Sequence, residues 1–238
     1  MRIKAILFDL DGTLLPMEQE AFAGKYIGGL VKAAAACGYN PEKMTEAILA
    51  GTLAMVKNNG EKTNEKVFSE VLLSFFGEGV LDDYGMFDEF YRTDFQRVKD
   101  VCGYTPLADT SVKLAKARGV RVVLATNPLF PSVATESRIS WAGLDRSDFE
   151  LITTYENSRY CKPSVDYYRD ILQKINLKPC ECLMVGNDVS DDMVASKLGM
   201  KTFLLTDCLI NAKDEDITKY DRGGFDELIK LIETLETE

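Results

Sequence analysis

The sequence predicts an α/β fold, a doubly wound and mainly parallel sheet with a helical domain inserted into it. Three observations lead there. Short apolar, β-branched-rich runs recur along the chain, helical periods lie between the later runs, and a long helical stretch separates the first run from the second. At 238 residues, 46% hydrophobic and 28% charged, the chain has the composition of an ordinary globular protein. That length suits one sizeable domain carrying a second, smaller one.

The strand-like runs are residues 4–10, 121–126, 151–155, 181–186 and 201–206. Their continuous apolar character marks strands buried on both faces, as in a parallel sheet. After the third run, Val165, Tyr168, Ile171, Leu172 and Ile175 share one helical face, with Pro163 suited to the first turn. Val189, Met193, Val194 and Leu198 form another face, closed by Gly199. Phe225, Leu228, Ile229, Ile232 and Leu235 form a last one. This alternation predicts a Rossmann-like sheet with ligands at the carboxyl ends of its strands.

Between residues 10 and 121 lie roughly 110 residues, far more than a crossover needs. The period there is helical throughout. Tyr26, Leu30, Ala33 and Cys37 form one stripe; Met44, Ile48 and Met55 form a second, with Asn40 as N-cap and Pro41 behind it. Phe68, Val71, Leu72 and Phe75 make a third, and Phe87, Phe90, Tyr91, Phe95 and Val98 a fourth. Residues 17–103 are therefore read as an inserted helical domain, with residues 1–16 and 104–238 as the α/β core. Gly103-Tyr104-Thr105-Pro106 is the expected return hinge. The aromatic stripes are expected to be core rather than pocket.

Composition narrows the chemistry. A net charge of −10 argues against nucleic-acid binding, which needs clustered Lys and Arg. An acidic protein that handles phosphate must neutralise it locally, with a metal and a few placed cations. No apolar run approaches the roughly 18–20 residues that span a bilayer, so no membrane partner is expected. Met1-Arg2-Ile3-Lys4-Ala5 leads straight into a strand without a cleavage site, so no signal peptide is expected either. The six cysteines lack a zinc-ribbon spacing and read as reduced packing thiols of a cytoplasmic protein. The chain has no histidine, which excludes Ser–His and Cys–His nucleophile pairs and histidine-ligated zinc. Acid–base work falls to carboxylates, Lys, Tyr or Cys, and a metal site would be oxygen-rich, favouring Mg²⁺.

The strongest local signal is Phe8-Asp9-Leu10-Asp11-Gly12-Thr13-Leu14 at the end of the first run. Two carboxylates at spacing two lie on one side of an extended chain. Gly12 then permits a sharp turn that leaves both near one pocket rim. One acid of such a pair can attack phosphorus while the other shuttles the leaving-group proton. A plain Asp-Gly turn is the bland alternative. A calcium loop is rejected, because its glycine position falls on Leu14 and a strand precedes it.

This segment resembles the DxDGT first motif of the haloacid dehalogenase (HAD) superfamily, in its phosphatase form. Val122-Val123-Leu124-Ala125-Thr126-Asn127 resembles the second motif, Cys161-Lys162-Pro163 the third, and Met184-Val185-Gly186-Asn187-Asp188-Val189-Ser190-Asp191-Asp192 the acidic fourth. The middle two are weak alone; the order of all four, each at or just past a predicted strand end, is the strong signal. The resemblance implies Asp9 as nucleophile, Asp11 as acid and base, and Lys162 as the neutralising cation. Thr126 hydroxyl and Asn127 backbone amide would bind phosphate oxygens. Mg²⁺ would be held by Asp9, the Asp11 carbonyl and acids of the fourth motif. There the chain departs from the common Gly-Asp pattern, with Asn187 in the first-acid place, so Asp188 and then Asp192 are expected as ligands. Asn187 is expected to position, and Asp191 to be a helix-start or surface charge.

The insert resembles the helical caps of that superfamily, which implies a small phosphorylated metabolite as substrate. The expectation is Mg²⁺-dependent hydrolysis of a phosphomonoester through an aspartyl phosphate. Phosphomutase chemistry on the same core and a non-catalytic metabolite sensor are the alternatives. Phosphonate hydrolysis would need a cap lysine in the pocket, with Lys25, Lys32, Lys57 and Lys62 available. Dehalogenation is disfavoured by Asp11, since a departing halide needs no acid.

Overall fold

The computed structural model describes residues 2–236, so positions 1, 237 and 238 of the expected core lie outside the described residues. Six parallel strands form one sheet: β1 (Ala5–Phe8), β2 (Arg121–Leu124), β3 (Leu151–Ile152), β4 (Cys182–Gly186), β5 (Lys201–Leu205) and β6 (Asp221–Gly223). Their order is β3-β2-β1-β4-β5-β6. The order reverses at β1, where Phe8 pairs with Leu124 on one side and Val185 on the other. In open parallel sheets the crevice for ligands opens at such a reversal, beyond the carboxyl ends of the strands.

β1 alternates its side chains between two apolar layers, as a strand buried on both faces must. Ile6 and Phe8 pack with Val122, Leu124 and Val185 in the larger cluster. Ala5 and Leu7 pack on the other face against Tyr167, Tyr168 and Ile171.

Five helices follow β1: α1 (Gln19–Ala36), α2 (Pro41–Val56), α3 (Asn64–Phe76), α4 (Gly79–Asp82) and α5 (Tyr84–Arg92), then a 3-10 segment, Asp94–Val101. Asn40 caps α2 as expected, its Oδ1 accepting from the Lys43 amide at 2.9 Å, with Pro41 in the first turn. The chain leaves and returns at one place: Met17 bridges Cys102, and the Gly103 amide donates to Pro16 O at 2.6 Å. A second tie lies at the start of α3. Asn64, fully buried, donates through Nδ2 to Pro128 O (3.1 Å) and Cys161 Sγ (3.2 Å). The Asn64 and Glu65 amides donate to Ser158 O and Tyr155 O, both at 2.9 Å. The otherwise orphaned amides of a helix start thus fasten the insert to the loops after β2 and β3.

The remaining helices are α6 (Pro106–Ala117), α7 (Ser132–Trp141), α8 (Val165–Ile175) and α9 (Phe225–Thr234). Three local expectations differ. Pro163 precedes α8 rather than opening it; Ser164 is the N-cap, accepting from the Asp166 amide at 3.2 Å. Residues 193–198 form a short 3-10 segment, not a full helix, ended by Gly199 in the left-handed region. β6 was not expected at all: Asp221-Arg222-Gly223 is a polar edge strand and lacks the apolar signal of the others. Among the described residues no helix is long and apolar enough to cross a membrane.

Candidate active site

At the strand reversal a cavity of about 300 Å³ opens between the sheet's carboxyl edge and the insert. It gathers on one floor Asp9, Asp11, Thr126, Asn127, Lys162 and the acids of the 187–192 turn. These residues come from four separate stretches of chain, three of them just past a strand and the fourth, with Lys162, late in the connection between β3 and α8.

Lys162 is the hub. Its ammonium, 2% exposed, donates to Asp9 Oδ1 at 2.7 Å and to Asp192 Oδ1 at 2.6 Å. Burial alone would drive this amine toward neutrality, but the charges of Asp192 and then Asp9 hold it well above the ordinary lysine range. Asp192 is itself closed off, its Oδ2 accepting from the Asp188 amide at 3.0 Å. Burial pushes its carboxyl up while Lys162 pulls it back. A β-carbon on Gly186 would collide with the Asp192 carboxylate, so only glycine lets this acid lie under β4.

The first and fourth motifs are locked together in the same steric way. Gly12 has φ of +84°, and a β-carbon there would strike the Asn187 amide. Asn187 is buried; its Nδ2 donates to Cys208 O at 2.7 Å, and its Oδ1 lies 2.9 Å from Thr13 Oγ1. The same hydroxyl lies 3.0 Å from Asp9 Oδ2. Asn187 therefore spans from the loop after β5 to the turn that follows Asp9.

Asp11 is half-buried and makes an ion pair with Arg138 of α7, which is completely buried. Its Oδ2 takes that contact, while Oδ1 is buried with no hydrogen-bond partner among the described residues. Burial pushes the Asp11 carboxyl up, Arg138 pulls it down, and the charge of Asp9 raises it again. Arg138 lies over the Phe130 ring, 4.3 Å from its centroid, and its Nη2 reaches Thr135 Oγ1 at 3.3 Å. Sequence reasoning missed Arg138. The signal was an arginine at the buried position of a helix whose inner face is Ala134, Thr135, Ile139 and Trp141.

Asp188 is half-buried, its Oδ1 capping the turn by accepting from the Ser190 and Asp191 amides at 2.7 and 2.9 Å. Asp191, expected as a surface or helix-start charge, instead lines the cavity half-buried. Burial and then the neighbouring Asp188 push its carboxyl up to about 6. Thr126 is buried at the end of β2, and Asn127 accepts from the Lys162 amide at 3.3 Å.

The donor set is all oxygen, which suits a hard cation such as Mg²⁺. The mutually repelling Asp188 and Asp191 are what such a cation would relieve. Among the described residues, however, no three acidic side chains already converge on one point.

Opposite the floor, the insert and the loop after β2 supply Tyr26, Phe68, Tyr91, Leu129 and Phe130. Tyr26, Phe68 and Tyr91, expected as core alone, thus serve both core and cavity.

A family model for haloacid dehalogenase-like hydrolases matches residues 3–199. The pyrophosphatase PpaX of Bacillus cereus (strain G9842) is 25% identical over 203 residues, covering 85% of this chain and 82% of the relative. Among solved structures, a HAD phosphatase from Thermococcus onnurineus superposes with a TM-score of 0.60 at 18% identity, covering 97% of this chain and 98% of its own. The HAD-hydrolase YfnB of Bacillus subtilis, bound to magnesium, gives 0.56 at 17% identity, covering 98% of this chain and 99% of its own.

Proposed function

The chain belongs to the haloacid dehalogenase-like hydrolases, and from that premise we propose that it is a Mg²⁺-dependent phosphatase that hydrolyses a small phosphomonoester through an aspartyl phosphate on Asp9. The observation that carries this is the pairing of Asp9 with Lys162 at 2.7 Å, beside an Asp11 gripped by Arg138, at the reversal of the sheet.

Lys162 fixes one oxygen of Asp9, so the carboxylate is held in a single rotamer at the cavity floor. Asp9 attacks phosphorus, the ester P–O bond breaks, and the departing oxygen takes a proton from Asp11. Burial, which raises that carboxyl, favours its carrying the proton before transfer. Once deprotonated, Asp11 takes a proton from the water that attacks the aspartyl phosphate, releasing phosphate and restoring Asp9. Thr126 hydroxyl and the Asn127 backbone amide hold phosphoryl oxygens. Residues fit to hold Mg²⁺ are Asp9, the Asp11 carbonyl, Asp188 and Asp191; Asp192 acts through Lys162, and Asn187 positions. When bound, Mg²⁺ supplies positive charge that offsets the repulsion between a carboxylate and a phosphate; a magnesium-bound structural neighbour supports that choice.

Residues 17–103 serve as the cap over this floor. Unpaired cysteines throughout accord with a cytoplasmic setting. Pyrophosphate, the substrate class in the name of the Bacillus relative, would set a second phosphate against a wall without cations, which favours a monoester.

The test is phosphate release from an aryl phosphate with and without Mg²⁺, wild type beside Asp9→Asn. Wild type should turn over only with the metal, and Asp9→Asn should fall on the order of 10⁴-fold or more. Turnover that survives either chelation or the substitution rules this mechanism out.

A further inference from the structure

Resting on the hydrolase reading, we infer that the preferred substrate carries a neutral, apolar leaving group such as an aryl or arylalkyl alcohol, because the wall facing the phosphoryl floor is aromatic and aliphatic and holds no cation.

Among the described residues lining the cavity, Lys162 is the only Lys or Arg, and two carboxylates already occupy it. The four cap lysines stand elsewhere: Lys25 pairs with Asp100 at 3.0 Å, Lys62 with Glu70 at 2.7 Å, and Lys32 and Lys57 do not reach the lining. This also removes the amine that phosphonate chemistry would require. A leaving group bearing a carboxylate or a second phosphate would surrender its hydration with nothing opposite it.

Polar handles on the wall are few: Gln19 and Tyr155 are unengaged among the described residues, and Tyr26, Tyr91 and Thr52 are already bonded. The Tyr26 and Tyr91 hydroxyls bond to each other at 2.9 Å, and Thr52 Oγ1 donates to Ile48 O at 2.9 Å. A polyol would find only Gln19 and Tyr155 as open partners and would set its other hydroxyls against Ile48, Phe68 and Leu129. Aromatic cover is plentiful: Phe22, Tyr26, Phe68 and Phe130 all line the cavity, with Tyr26 and Phe22 packed on Phe130 to hold its ring in place. Such a cleft stacks a planar ring or covers a branched chain.

The experiment compares kcat/KM, with Mg²⁺, for three esters of primary alcohols: benzyl phosphate, 3-carboxybenzyl phosphate and glycerol 1-phosphate. Inorganic pyrophosphate is a fourth probe. Benzyl phosphate should lead each of the others by on the order of 10²-fold. Leu49 lines the mouth and is 53% exposed; Leu49→Lys should raise the carboxylated ester several-fold relative to benzyl phosphate. Comparable values for all four probes overturn the inference while leaving hydrolysis standing. If nothing is hydrolysed, calorimetry with Asp9→Asn and Mg²⁺ decides separately. Selective binding of benzyl phosphate then upholds the inferred class though the hydrolase reading has fallen, and equal or absent binding sinks both.

Discussion

The cavity has two walls built on opposite principles. On the floor, Lys162 holds Asp9 and Asp192 by charge, and Arg138, buried behind the lining, holds Asp11 in the same way. On the roof, Tyr26, Phe68, Tyr91 and Phe130 hold by area and ring geometry, and the only hydrogen bond among these four side chains is Tyr26 to Tyr91. A buried charge network tolerates no single deletion, because the partner left behind stays desolvated and unpaired. An apolar wall tolerates exchange so long as volume is kept. The contrast separates two properties that sequence change can tune independently, the proposed reaction on the floor and the inferred choice of alcohol on the roof.

The sharpest way to break that contrast is Lys162→Met. It strands Asp9 and Asp192 in a dry site, and should cost about 3–5 kcal/mol of stability in a denaturant titration besides abolishing turnover. A variant as stable as wild type would show that the floor is no charge network.

Next comes Arg138→Met, which frees Asp11 without touching Asp9, the proposed nucleophile. Loss of its fixed position should lower kcat on the order of 10²-fold with KM little changed, read by steady-state kinetics. A change in KM alone would place Arg138 with the roof.

The smallest effect belongs to the roof itself. Tyr26→Phe removes one hydroxyl pair, so it should cost about 1 kcal/mol, and roughly 2–4 °C in thermal midpoint for a chain of this size. Activity on an apolar ester should survive. A floor-sized loss would erase the distinction.

Much of the floor was legible in the sequence: Asp9 and Asp11 stood out by their spacing at a strand end and by the turn that Gly12 permits. Thr126, Asn127 and Lys162 could be named only through the resemblance of their motifs, in order, to those of the haloacid dehalogenase superfamily. The sheet's buried strands were legible for a related reason, continuous apolar runs, whereas β6 was not, since an edge strand needs no such run. Arg138 and Asp191 escaped because their roles depend on tertiary neighbours: α7 turns its inner face onto Asp11, and Tyr168 holds the Asp191 carbonyl at 2.7 Å. The roof was legible only as helical stripes. Periodicity reports which side of a helix is apolar, and it does not say whether that side meets protein or an opening.

The contact between Gly12 and Asn187 has a consequence for how this chain can be recombined. A graft that brings any side chain to position 12 must bring a shorter one to position 187, although most of the polypeptide lies between them. Crossover points placed anywhere in that span divide a single lock between two parents, and chimaeras of the outer segments keep or lose their fit as a pair.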